Sequence, residues 1–120
     1  MELMKIINAK QTLEGLAERS DMNAHLAYWM TKFVMKTQHE HDFYIAEMRK
    51  LIDKYSEPSD GQEVRIAPES VSEFNAAVDA LAKTDVEAPD IKFSLSEISK
   101  ELKLSMKQMY PLMDFIDENK

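Results

Sequence analysis

The chain has 120 residues, a net charge of −7, 44% hydrophobic content and no cysteine. That length fits one domain, 1–120, with one modest core, and the missing cysteine excludes disulfides, thiolate nucleophiles and cysteine-based metal sites. Residues 1–56 hold eight basic and eight acidic side chains while 57–120 hold seven and fourteen, so the whole negative excess sits in the second half. This charge balance argues against a nucleic-acid partner, which needs cations for the phosphates.

Two glycines and four prolines among many Leu, Ala, Lys, Glu and Met residues favour helix over sheet. The first ten residues show no apolar signal-peptide core. The longest apolar run, 26–30, is far too short to cross a bilayer. The expectation is a cytoplasmic chain with no membrane partner.

In chain order, residues 1–7 read as a short strand or extended arm through Leu3, Ile6 and Ile7, and Asn8 as the N-cap of a short helix to Arg19. Residues 20–23 offer caps for the dominant feature, one helix over about 22–55. At ~1.5 Å per residue it is about 50 Å long. Leu26, Met30, Phe33 and Thr37 are spaced by four and three, and His41, Tyr44, Met48, Leu51 and Tyr55 resume the rhythm. The steps from 33 to 37 to 41 add an extra four, a stutter. Two apolar patches joined by the polar stretch 37–42 are therefore expected. Tyr28, Trp29 and Phe43 lie off the main stripe.

Residues 56–61 carry turn chemistry. A mixed helix and strand half follows over about 62–116. It begins with a brief strand at 63–66, stopped by Pro68, and a helix from a Ser70/Glu73 capping box to about Lys83. Residues 85–93 read as extended, with Val86, Ile91 and Phe93 as core and Pro89 confining the strand to an edge. Pairing between these two extended pieces is expected, because a lone strand leaves its backbone groups unmet. Ser94/Glu97 and Ser105/Gln108 cap two further helices. Pro111 interrupts the last segment, leaving Leu112, Phe115 and Ile116 to dock and 117–120 to fray. The fold class is a helix-dominated α+β domain, one long helix packed with shorter ones and a small two-stranded element.

Only His39, Glu40, His41 and Asp42 cluster as metal-capable residues. The two histidines are two apart and point to opposite sides of a helix, whereas ligands on a helix come three or four apart. A solvated waist explains the cluster better than a metal site. Gly15 and Gly61 are isolated, so there is no phosphate loop. No catalytic, cofactor-binding or metal residue is assigned, and the expectation is a non-enzyme without cofactors. Nine methionines, among them Met30, Met35, Met48, Met106, Met109 and Met113, read as core filling ahead of an adaptable binding surface. Trp29, Phe33, Phe43 and Tyr44 are the interface candidates, because a rod this long has more apolar surface than short neighbours cover.

The order of motifs resembles that of a family of small uncharacterised proteins from tailed bacteriophages and prophages. The matching pieces are Leu51, Ile52, Lys54 and Tyr55; the polar Asp60–Gly61 turn; Phe74, Asn75 and Leu81; the acidic 84–87; Ile91, Leu95 and Ile98; and Leu112 with Phe115 and Ile116. They span 24–116, and Pro89 with the Tyr110, Pro111 pair departs from the pattern. The resemblance implies phage or prophage origin, a place in the cytoplasm of a bacterial host or in association with a virion, and a small non-enzymatic role, and it carries over no catalytic residue. The expected function is protein interaction in virion or tail assembly, as a homo-oligomer with a phage or host protein partner. The alternative is a soluble inhibitor of a host enzyme or defence system that acts through its acidic half.

Overall fold

Helix, not strand, opens the chain. The computed structural model describes residues 1–19, 21–57 and 64–120; Ser20, residues 58–61 of the turn expected at 56–61 and the start of the expected 63–66 strand lie outside the described residues. Helix α1 spans Leu3–Gly15, which overturns both the arm at 1–7 and the N-cap at Asn8. Helical spacing gives this segment two apolar stripes: Leu3 and Ile7 on one, Ile6, Ala9, Leu13 and, just past its end, Leu16 on the other. Burial of both outweighs the weak helix preference of the two isoleucines. Glu2 at the N-cap makes no side-chain capping bond. The cap is tertiary instead: Leu3 N–H donates to the Thr84 carbonyl (2.8 Å) and Val86 N–H to the Met1 carbonyl (2.9 Å), satisfying a donor every helix start leaves open.

The expected single helix over 22–55 is two helices, α2 (Ala24–Lys36) and α3 (Gln38–Tyr55), broken at Thr37. Asn23 starts α2, its Oδ1 accepting from Leu26 N–H (2.8 Å). Thr37 is buried, with φ −99° and ψ 4°, and its hydroxyl donates to the Phe33 carbonyl (2.8 Å) and lies 3.2 Å from that of Val34. A threonine bonding back to carbonyls three and four residues earlier bends a helix. The break falls on the stutter, between two apolar patches that serve different neighbours.

The first patch, Leu26, Met30 and Phe33, lies in a core with Ile6, Leu13, Phe93, Ile98, Leu112 and Phe115. Phe33 is its centre, with ring centroids 4.8 Å from Phe115 at 77° and 5.9 Å from Phe93. The second patch, Tyr44, Met48 and Leu51, packs on Leu3 and Ile7 of α1 and on Leu81.

After α3, strand β1 (Ser56–Glu57) pairs antiparallel with β2 (Arg65–Ile66). A 3-10 turn at Pro68–Ser70 runs into α4 (Val71–Ala82), so Ser70 already has helical angles and the expected capping box does not form. Phe74 of α4 meets Tyr55 edge-on at 6.1 Å. Residues 86–92 are irregular, and among the described residues the two extended pieces do not pair with each other. Instead β3 (Phe93–Ser94) lies parallel to β4 (Ile116–Asp117), which brings Phe93 opposite Ile116 inside the first core.

Helix α5 (Leu95–Glu101) is capped by Ser94 Oγ, which accepts from Glu97 N–H, and α6 (Met106–Met109) by a full Ser105/Gln108 capping box. Pro111 then converts α6 into a 3-10 segment, Tyr110–Phe115. The expected fraying of 117–120 is not found: Asp117 pairs in β4 and Ser96 N–H donates to the Lys120 carbonyl (3.1 Å).

The result is a helix-dominated α+β fold. Its radius of gyration is 17.5 Å and its extents are 51 × 29 × 24 Å, whereas a compact chain of this length has a radius near ~14 Å. The excess comes from α3, the β1–β2 pair and α4, which together form an arm. Phe33→Ala is expected to remove about 3–5 kcal/mol of stability in denaturant titrations. Trp29→Ala, on the rim, should cost about 1 kcal/mol or less.

Candidate interaction surface

The four interface residues named from sequence part company in the structure. Phe33 is 0% exposed and belongs to the core, which corrects its assignment to a surface. Tyr44 is half-buried against the second core. Trp29 (39% exposed) and Phe43 (43% exposed) reach solvent on different helices, and Trp29 meets Tyr28 edge-on at 5.3 Å. In α3 no residue is fully buried, and Phe43 and Ile45 are both exposed, on opposite sides of the helix.

Two clefts flank α2. An apolar groove of about 250 Å3 lies between α1 and α2, lined by Leu13, Leu16, Met22, Met30, Val34 and Met35 among others, with Glu14 and Arg19 at its edge. Arg19 donates to both carboxylate oxygens of Asp21. That pairing raises the Arg19 guanidinium and holds the Asp21 carboxyl below its ordinary range. On another side of α2, Trp29 and His25 border a more polar cleft with Lys92, Ser94, Glu97 and Lys120. His25 Nδ1 lies 3.0 and 3.1 Å from the two carboxylate oxygens of Glu97.

The polar waist does not assemble a metal site. His41 Nδ1 is 2.9 Å from the ammonium of Lys10, and Asp42 accepts from Gln38 Nε2 (2.8 Å). One oxygen of Glu40 is buried without a partner, beside a cleft shared with Lys36, Glu87 and Asp90. Among the described residues no three His, Asp or Glu side chains converge as ligands.

Lys10 is the feature that sequence reasoning missed. It is 2% exposed, one turn beyond Ile7 on the stripe facing α3, and it also donates to Glu14. An ammonium has no lone pair, so His41 Nδ1 accepts and carries its proton on Nε2. A lysine in a helical pattern ordinarily reads as solvated, and only the distant His41 marks this one.

Also missed were Met106 (91% exposed), Tyr110 (82%) and Met113 (49%), which share a line on α6 and the 3-10 segment after it. The reading of methionines as core filling holds for Met30 and fails for Met35, Met106 and Met113, all exposed.

No known family model, curated protein or solved structure matches the chain. Among the described residues no helix is long and apolar enough to cross a membrane. The geometry therefore has to carry the functional reading.

Lys10→Met removes a buried cation and leaves two partners within reach of water. It is expected to change stability by less than about 1 kcal/mol or to raise it. The double variant Glu14→Leu/His41→Leu strands the ammonium and should cost about 3 kcal/mol. Denaturant titration of both checks the order, and the reverse ranking contradicts this account of the site.

Proposed function

We propose that this chain is a non-enzymatic phage or prophage protein that works by protein–protein contact in virion or tail assembly, as a homo-oligomer. The observation that carries the reading is the arm: α3 runs eighteen residues without one fully buried side chain and holds Phe43 and Ile45 in solvent. Val64 and Val71 add exposed apolar surface on the same arm. Large apolar groups are costly to leave in water, and a helix that exposes them on more than one side offers surface for a partner to cover. Trp29, on the body, supplies a further aromatic anchor of the kind that dominates interface energies. The phage origin rests on the order of motifs across 24–116.

Affinity purification of the tagged full chain during phage induction, with mass spectrometry of what it retains, tests this reading. Phage structural proteins should be recovered and should survive washes at about 0.5 M salt, where screening reaches within a few ångström. Phe43→Asp should release them. A single stoichiometric host enzyme that salt removes would overturn the assembly reading in favour of an inhibitor acting through the acidic half.

A further inference from the structure

We propose that the Lys10–His41 contact is an acid-sensitive latch, which holds α3 on α1 while His41 is neutral and weakens when the imidazole takes up a proton. It operates within a single copy of the chain and does not depend on the assembly reading above.

The latch sits where the chain turns. Thr37 bends the path between α2 and α3, and its carbonyl accepts the His41 N–H (3.1 Å) in the first turn of α3. His41 is half-buried there, with Nδ1 2.9 Å from the ammonium of Lys10, itself 2% exposed. Lys10 follows Leu3 and Ile7 on the stripe of α1 that holds the arm. A neutral imidazole has one lone pair on its ring nitrogens, and here it faces the ammonium. A second proton removes that lone pair. Both ring nitrogens then donate, and two cations stand at hydrogen-bond distance with no acceptor between them. Burial of Lys10 keeps water from screening the pair.

The surrounding charges do not offset a second cation. From α1, Glu14 accepts from Lys10, so one carboxylate is set against one ammonium. Within α3, Asp42 accepts from Gln38 (2.8 Å). Glu40 lines a cleft shared with Lys36 at the end of α2 and with Glu87 and Asp90 of the irregular segment. Toward the end of α4 that packs near Tyr44, Asp79 and Lys83 pair with each other (2.9 Å). The other two histidines stand differently. His25 lies against the Glu97 carboxylate, so its protonation completes an ion pair, and His39 is exposed.

An imidazole free in water takes up its proton near pH ~6.5. Any opening that separates α3 from α1 frees His41 to do so, whereas the closed latch keeps it neutral. Open forms therefore gain almost nothing at about pH 7.5 and roughly tenfold at about pH 5.5. The stabilisation is full above the ordinary histidine range and is lost as the pH falls through it. Ordinary carboxylates, at ~4, stay ionised across this window.

Residue-resolved hydrogen exchange of the full chain at about pH 7.5 and about pH 5.5, corrected for intrinsic exchange rates, tests the latch. Protection of the wild-type α3 amides 42–48 should fall by roughly tenfold between the two. In His41→Gln the side-chain oxygen still accepts from Lys10 but cannot titrate, so protection should hold within about twofold. Lys10→Met removes the opposing cation and should abolish the fall as well. His39→Gln should retain it in full. Equal wild-type protection at both pH values would overturn the proposal, as would an undiminished fall in His41→Gln or Lys10→Met, or its loss in His39→Gln.

Discussion

Everything in this fold depends on α1 burying two apolar stripes at once. Ile6, Ala9 and Leu13 complete the core built by α2 and the C-terminal segments, while Leu3 and Ile7 hold the second patch of α3 and Leu81 of α4. A single straight helix over 22–55 has to present both its patches along one line. The bend at Thr37 lets each patch meet its own side of α1. Lys10 sits at the join, reaching Glu14 on its own helix and His41 just past the bend. Apolar burial supplies the stability of this arrangement, and the buried ammonium ties α1 to one turn of α3.

The same constraint explains the shape. Because α1 covers only one side of α3, and α4 another, the rest of α3 remains in water and the molecule extends to 51 Å. The body is more completely packed but leaves two apolar features unpartnered, the α1–α2 groove and the ridge on α6 and its 3-10 continuation. The proposed function rests on exposed apolar surface, Phe43 and Ile45 of α3 among it.

Much of the fold was legible in the sequence, and the failures have specific causes. Helical periodicity located both patches and the polar waist, and the serine caps at Ser94 and Ser105 were read correctly. The first helix was expected from Asn8 but starts at Leu3, because its cap comes from Thr84, a residue far along the chain, and no local capping signal announces it. The break at Thr37 was visible as a stutter, but whether a stutter bends a helix depends on which neighbours claim the two patches. The pairing of β3 with β4 was missed since two-residue strands leave no periodicity to detect. At the candidate surface, Trp29 and Phe43 were recognised as reaching off the stripe, whereas Phe33 follows the stripe into the core. The burial of Lys10 and the exposure of Met106 and Tyr110 invert the usual preferences of those residue types, so composition pointed away from them.

The most direct test of α1 as the shared buttress is native-state hydrogen exchange measured residue by residue. If α1 holds both halves, the amides of α1 and α2 open only with global unfolding, while the far half of α3 and α4 exchange through a smaller, lower-energy opening. Exchange from α1 that is as fast as that of the arm, or uniform protection across α1, α3 and α4, would contradict this account.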